Sequence, residues 1–123
     1  MEYVSTNNAP EAIGPYSQAV KANGLLFTSG QIALNPKTNT VEAKTIEEQT
    51  AQVCENLKAV VEASGASMDK VIKTVCFLAD INDFAKFNEV YAKYFVSKPA
   101  RSCVAVKDIP KGCLCEIETI AEG

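Results

Sequence analysis

Pro99-Ala100-Arg101-Ser102-Cys103-Val104-Ala105-Val106, followed after a turn by Cys115-Glu116-Ile117-Glu118-Thr119-Ile120, is the stretch from which the rest of the chain is read. Both segments have the β-branched, alternating character of strands. Asp108-Ile109-Pro110-Lys111-Gly112 joins them. Arg101 is the only arginine in the protein; the other basic residues are lysines. A task that needs a planar, permanently charged fork therefore falls to it, because a guanidinium matches a carboxylate bidentately and an ammonium does not. Two adjacent strands, one opening on Arg101 and the other carrying Glu116, can place a cation and a carboxylate in one pocket. A structural ion pair or an exposed strand end fits the same residues.

Working outward, 123 residues with 47% apolar and 22% charged side chains predict one folded domain spanning 1–123. A net charge of −3 and scattered lysines argue against a binder of nucleic-acid backbones. No apolar run is long enough to cross a membrane, and the N-terminus lacks the basic start and apolar core of a secretory signal. The expected compartment is the cytoplasm. Five cysteines, Cys54, Cys76, Cys103, Cys113 and Cys115, fit reduced, packed thiols better than a disulfide framework.

Histidine is absent. That removes Ser-His-Asp and Cys-His nucleophile schemes, the zinc-deaminase signature and most imidazole metal sites. Cys113 and Cys115 have no second thiol pair of comparable spacing, so no metal is expected. Any proton chemistry must use carboxylate, tyrosine, cysteine, lysine or water.

The remaining chain supplies the elements. Tyr3-Val4 is a short extended start, and Tyr16 to Lys21 a second strand. Asn23-Gly24 is a hairpin signal, and Leu25 to Ser29 the returning strand, stopped at Gly30. Thr45 and Glu48 have capping-box spacing ahead of a helix whose stripe is Val53, Leu57, Val60 and Val61, with a stop at Gly65. Val71 to Leu78 is apolar on both faces and reads as an interior strand. A second helix over Phe84 to Phe95 follows the candidate caps Asp80, Asn82 and Asp83. Asn88 falls in its apolar stripe, where an amide must find partners; it is either a structural clip or a pocket residue.

The order strand, strand, strand, helix, strand, helix, strand, strand predicts an α+β fold with a mixed sheet and two helices on one face. Phe27, Val71, Phe77, Val104, Val106, Ile117 and Ile120 exceed what two helices hide. A homo-oligomer with sheets packed face to face is therefore expected. Gly-x-Gly-x-x-Gly and Gly-Lys-Ser/Thr loops are missing, so nucleotide binding is not indicated.

Gly14-Pro15-Tyr16-Ser17-Gln18-Ala19, Thr28-Ser29-Gly30-Gln31-Ile32, Asn35-Pro36-Lys37-Thr38, Phe84 to Asn88, Pro99 to Val104 and Glu116-Ile117-Glu118, in this order, resemble the RidA family, also called YjgF/YER057c/UK114. The resemblance runs from about Asn7 to Ala121. It implies a chorismate-mutase-like fold of the bacillus type, built as a trimer with sheets facing the centre and active sites between subunits.

The activity implied is hydrolytic deamination of reactive 2-enamine and 2-imine acids, 2-aminoacrylate and 2-aminocrotonate, to 2-oxo acids and ammonia, with no metal or organic cofactor. By the same resemblance Arg101 holds the substrate carboxylate and Glu116 positions and polarises water. Cys103 helps hold that water through its backbone carbonyl, and Tyr16, Ser29, Gly30 and Asn88 line the cleft. Two departures stand out: the connection from Phe95 to Pro99 is shorter than in some members, and Asn39 stands where glycine is common. On alternation alone Glu118 rivals Glu116, and Tyr16 reads equally as an aromatic packed across a hairpin. A metabolite sensor without turnover, an RNA-directed activity and a holdase are the rival functions.

Overall fold

The computed structural model describes residues 1–123. Its strands are β1 (Glu2–Val4), β2 (Ala19–Ala22), β3 (Leu25–Thr28), β4 (Val71–Leu78), β5 (Ala100–Ala105) and β6 (Cys115–Glu122); the helices are α1 (Ile46–Ala63) and α2 (Phe84–Tyr94). They form one six-stranded sheet in the order β1-β2-β3-β6-β4-β5. All pairings are antiparallel except β4 with β5, which α2 connects as a crossover.

Local chemistry explains each element. Asn23 and Gly24 both take positive φ, as a tight hairpin turn between β2 and β3 requires. Thr45 Oγ1 accepts from the Glu48 N–H while the Glu48 carboxylate accepts from the Thr45 N–H, the complete capping box expected for α1. The stripe Val53, Leu57, Val60 and Val61 is fully buried, and Gly65 stands just beyond Ser64, the C-terminal cap, with φ +93°. Asn39 also adopts the left-handed conformation that asparagine tolerates.

Several expectations need correction. Residues 16–18 are not strand; β2 begins at Ala19 because Gln18 turns inward, its amide donating to the carbonyls of Thr6, Ala9 and Pro10. Asp80 caps a short 3-10 turn, Ile81–Asp83, ahead of α2, rather than α2 itself. The interior strand β4 is covered on one face only: Val71, Thr74, Cys76 and Leu78 are buried, while Ile72 is exposed and Val75 and Phe77 are half-buried.

The strands carrying Arg101 and Glu116 are not neighbours, because β4 lies between them. The α+β class, the mixed sheet and the two helices stand. The chorismate-mutase-like (bacillus type) assignment does not. Periodicity determines what a segment becomes, whereas strand order is set by non-local pairing, and here the C-terminal strand enters the middle of the sheet between β3 and β4.

The sheet has two unlike faces. Register aligns Thr28, Thr119, Thr74 and Arg101 in one row, and Ile117, Cys76 and Cys103 in the next. These rows lie beneath the helices, with Thr74 bonded to Tyr91 of α2 and Cys115 touching Thr50 of α1. The opposite face presents Tyr3, Val20, Phe27 and Ile120 in one row and Glu116, Phe77 and Val104 in another. Tyr3, Phe27 and Val104 are exposed there, an uncovered apolar surface in the single chain.

Candidate functional site

Six of the seven residues singled out in the sequence fall into two groups, and Cys103 stands apart. Arg101 and Asn88 line a groove of about 530 Å³ between α2 and the start of β5. Tyr16, Ser29, Gly30 and Glu116 line a cavity of about 560 Å³ beside the β2–β3 end of the sheet. Cys103 lies on β5 two residues beyond Arg101, on the helix-covered face.

At the first group, alternation along β5 turns Arg101 toward α2, where the spacing of Phe84, Asn88 and Tyr91 puts three side chains around it. Arg101 Nη1 donates to Asn88 Oδ1 at 2.7 Å. The guanidinium carbon lies 4.9 Å from the centre of the Tyr91 ring and 5.4 Å from that of Phe84. Such cation–π contacts contribute on the order of 0.5–2 kcal/mol, more where water is excluded. Tyr91 is itself fixed by a 2.7 Å hydrogen bond between its hydroxyl and that of Thr74, and burial pushes its phenol up to about 12. Asn88 thus joins α2 to Arg101 on β5 and also lines the groove beside it.

At the second group, Glu116 projects from the uncovered face of β6. A Cβ built at its neighbour Gly30 overlaps Glu116 Oε2, so any side chain there displaces the carboxylate. Glycine at position 30 leaves the space that the Glu116 carboxylate occupies, and its φ is not unusual. Gln31 exchanges backbone hydrogen bonds with Ile117, at 2.9 and 3.2 Å, which ties the 29–32 segment to the strand bearing Glu116. Burial raises the pKa of Glu116 above its ordinary value, and the nearby Glu118 carboxylate adds to the rise. The Ser29 hydroxyl donates to the Ser17 carbonyl at 2.6 Å, and Tyr16 stands exposed at the mouth.

Cys103 is half-buried, and burial raises its thiol, with a smaller opposing influence from Arg101. The side chain is a protonated thiol at neutral pH, unsuited to act as a nucleophile. β5 is an edge strand, so part of its backbone remains unpaired within the chain. No group of three or more His, Cys, Asp or Glu side chains is arranged to hold a metal ion.

Residues missed in the sequence are those that support the site. Asn56, fully buried on α1, donates to the carbonyls of Ile32 and Leu34 at 3.1 and 2.9 Å and so holds the segment behind Gly30. Gln49 accepts from the Leu114 N–H at 2.7 Å, just before β6. The available signal was a polar residue inside an apolar stripe, the same signal that singled out Asn88.

Arg101 and Glu116 do not meet within one chain. Arg101 pairs in register with Thr74 on the helix-covered face, whereas Glu116 pairs with Phe77 on the opposite face.

Against known proteins, residues 6–123 match the family model described as Endoribonuclease L-PSP. The chain is 49% identical over 121 residues to Reactive Intermediate Deaminase A, chloroplastic, of Arabidopsis thaliana, covering 98% of this chain and 65% of that protein. The crystal structure of YyfA from Yersinia pestis, of the conserved Rid protein family, superposes with a TM-score of 0.96 at 48% identity, covering 99% of this chain and 98% of that one. E. coli TdcF with bound serine superposes with a TM-score of 0.95 at 42% identity, covering 100% and 99%. These superpositions assign the fold to the Rid/YjgF type and replace the chorismate-mutase-like one. With its model spanning nearly the whole sequence and relatives near half identity along the full domain, the chain belongs to the RidA (YjgF/YER057c/UK114) family.

Proposed function

We propose that the two half-sites of this chain are completed between subunits of a homotrimer, Arg101 and Asn88 from one subunit facing Glu116, Gly30, Ser29 and Tyr16 of the next. The family's reaction is hydrolytic deamination of reactive 2-enamine and 2-imine acids, and the chain is a deaminase of that class, acting on 2-iminobutanoate and 2-iminopropanoate. The observation that carries the proposal is the placement of Arg101 and Glu116 on opposite faces of one sheet. A substrate needing both must lie between chains, and the uncovered apolar face bearing Phe27, Ile120 and Val104 supplies a surface to join them.

The chemistry asks little of the protein. A carbon doubly bonded to nitrogen beside a carboxylate is already electrophilic. Arg101, held between aromatic faces with its outer N–H groups presented, binds the carboxylate as a fork and fixes the reacting carbon. Water adds to that carbon as the Glu116 carboxylate takes its proton. The proton then passes to nitrogen as the carbinolamine collapses to a 2-oxo acid and ammonia. A raised pKa suits Glu116 to this exchange, because it brings the carboxylate nearer to the pH at which it must both accept and return a proton. The backbone of Cys103, on the edge strand, helps hold the water. The serine bound to TdcF is a small amino acid with the carboxylate this clamp requires.

A subunit-mixing experiment tests the shared site. Arg101→Lys and Glu116→Gln proteins, each impaired alone, are unfolded together, refolded and assayed with a dehydratase-generated imine against semicarbazide trapping. Random trimers regain about a quarter of wild-type turnover if each site draws on two subunits. No recovery, with mixed trimers demonstrated, refutes the shared site. RNA cleavage, which the family model's description names, finds no support in an acidic chain without histidine.

A further inference from the structure

We propose that the groove between α2 and β5 is a subsite for a second acidic group on the substrate, read by Lys98. Resting on the imine-hydrolase reading above, this adds a substrate class: 2-imino acids that carry a carboxylate on the side chain. Of the five concavities on the chain, only this one is lined by cations without any carboxylate. Arg101 and Lys98 border it, together with Asn88 and an apolar wall including Tyr91, Phe95 and Val96. The cavity holding Glu116 sets Glu11 and Glu116 against Lys111, and the one along α1 sets Glu55 and Glu62 against Lys58. A cationic groove with an apolar wall fits a short hydrocarbon segment bearing an anionic group at each end.

Lys98 is fixed at the rim rather than carried on a loose loop. Its backbone N–H donates to the Phe95 carbonyl at 3.2 Å, Ser97 Oγ donates to the Val71 carbonyl at 2.7 Å, and Pro99 follows. Its φ of +52° lies in the region that favours glycine or asparagine, yet the position holds a long cationic side chain. Residues 98 and 101 are three apart, so their Cα atoms lie within about 10 Å. The flexible lysine stem closes that span to the separation of the two carboxylates of a four- or five-carbon diacid. Arg101 donates to Asn88 through Nη1, and its other N–H groups make no hydrogen bond within the chain. The reaction is unchanged: water adds to C=N, ammonia leaves, and the second carboxylate is untouched.

The test compares two imines in the intact protein. A flavin oxidase acting on aspartate supplies 2-iminosuccinate, a threonine dehydratase supplies 2-iminobutanoate, and semicarbazide competition gives kcat/KM for each. The readout is the ratio of the two. Lys98→Asn removes the charge while tolerating the left-handed backbone, and should lower the diacid-to-monoacid ratio about tenfold. Lys98→Glu should lower it further, and Lys98→Arg should restore it. An unchanged ratio in both the Asn and Glu proteins overturns the subsite. Wild-type protein that hydrolyses 2-iminobutanoate but not 2-iminosuccinate overturns it too, leaving the imine-hydrolase reading intact. Inactivity toward both overturns that reading and the subsite with it.

Discussion

The Arg101 and Glu116 halves of the proposed site are built by opposite means. Arg101 is fixed by what surrounds it: the Asn88 amide, the Tyr91 and Phe84 rings, and a row of buried hydroxyls leading back through Thr74 to Thr119 and Thr28. Glu116 is given its place by what is missing, a side chain at residue 30. A permanent charge can be packed against aromatic faces without changing its state, whereas a carboxylate that must gain and lose a proton needs room and partial burial. The positive pole of the proposed cleft is therefore an extension of the core, and the negative pole a feature of a loop and a strand surface.

On this contrast, removing the proposed proton carrier has the largest expected effect. Glu116→Gln keeps the shape and should lower kcat by about 10²–10⁴-fold with little change in thermal stability. Retained turnover shows that ordered water and substrate reactivity suffice. Gly30→Ala comes next. The added methyl meets the far end of a flexible carboxylate, so the fold gives way cheaply while the carboxylate leaves its place. Turnover should fall up to about 10²-fold, the scale associated with misplacing a reacting group by an ångström. Urea denaturation should show a stability loss under about 1 kcal/mol. A large stability loss with normal specific activity refutes the spatial account. Arg101→Lys preserves charge but loses the planar fork and the stacking on Tyr91; kcat/KM should fall at least about tenfold. Near-normal kcat/KM in that variant rejects the carboxylate clamp.

Much of the fold was legible because its signals are local. Thr45 with Glu48, the Val53 to Val61 stripe, Asn23-Gly24 and the apolar run 71–78 each specify a segment through its own neighbours. Strand order was not legible. β6 follows β5 in the chain but lies beyond β4 in the sheet, a consequence of pairing across long separations. That non-local step decides whether Arg101 and Glu116 share a face. The site divides the same way. Motif resemblance selected Arg101, Asn88, Gly30 and Glu116, and the structure gives Asn88 and Gly30 specific physical reasons. Asn56 and Gln49 were passed over because a buried amide on a helix reveals its partner only when the loop it holds is in place.

Glu118 sharpens the account of the negative pole with the mildest change. It lies two residues from Glu116 on the same face of β6, exposed, and its charge is one of the two causes that raise the pKa of Glu116. If Glu116 acts as the base, turnover falls as pH drops through its raised pKa, because the ionised form is lost there. Glu118→Gln removes a like charge, so Glu116 ionises more readily and the acid limb of kcat/KM should move to lower pH, with kcat on the plateau reduced little. Stability follows the same sign. A carboxyl with a raised folded-state pKa contributes stability that is complete below its unfolded-state pKa and lost as pH rises through the folded value, so Glu118→Gln should lessen that loss at neutral pH. A plateau that collapses in Glu118→Gln identifies Glu118 as the water-handling carboxylate. An acid limb that stays where it is shows that the limb does not report Glu116, and the proton carrier must then be sought in the substrate nitrogen itself.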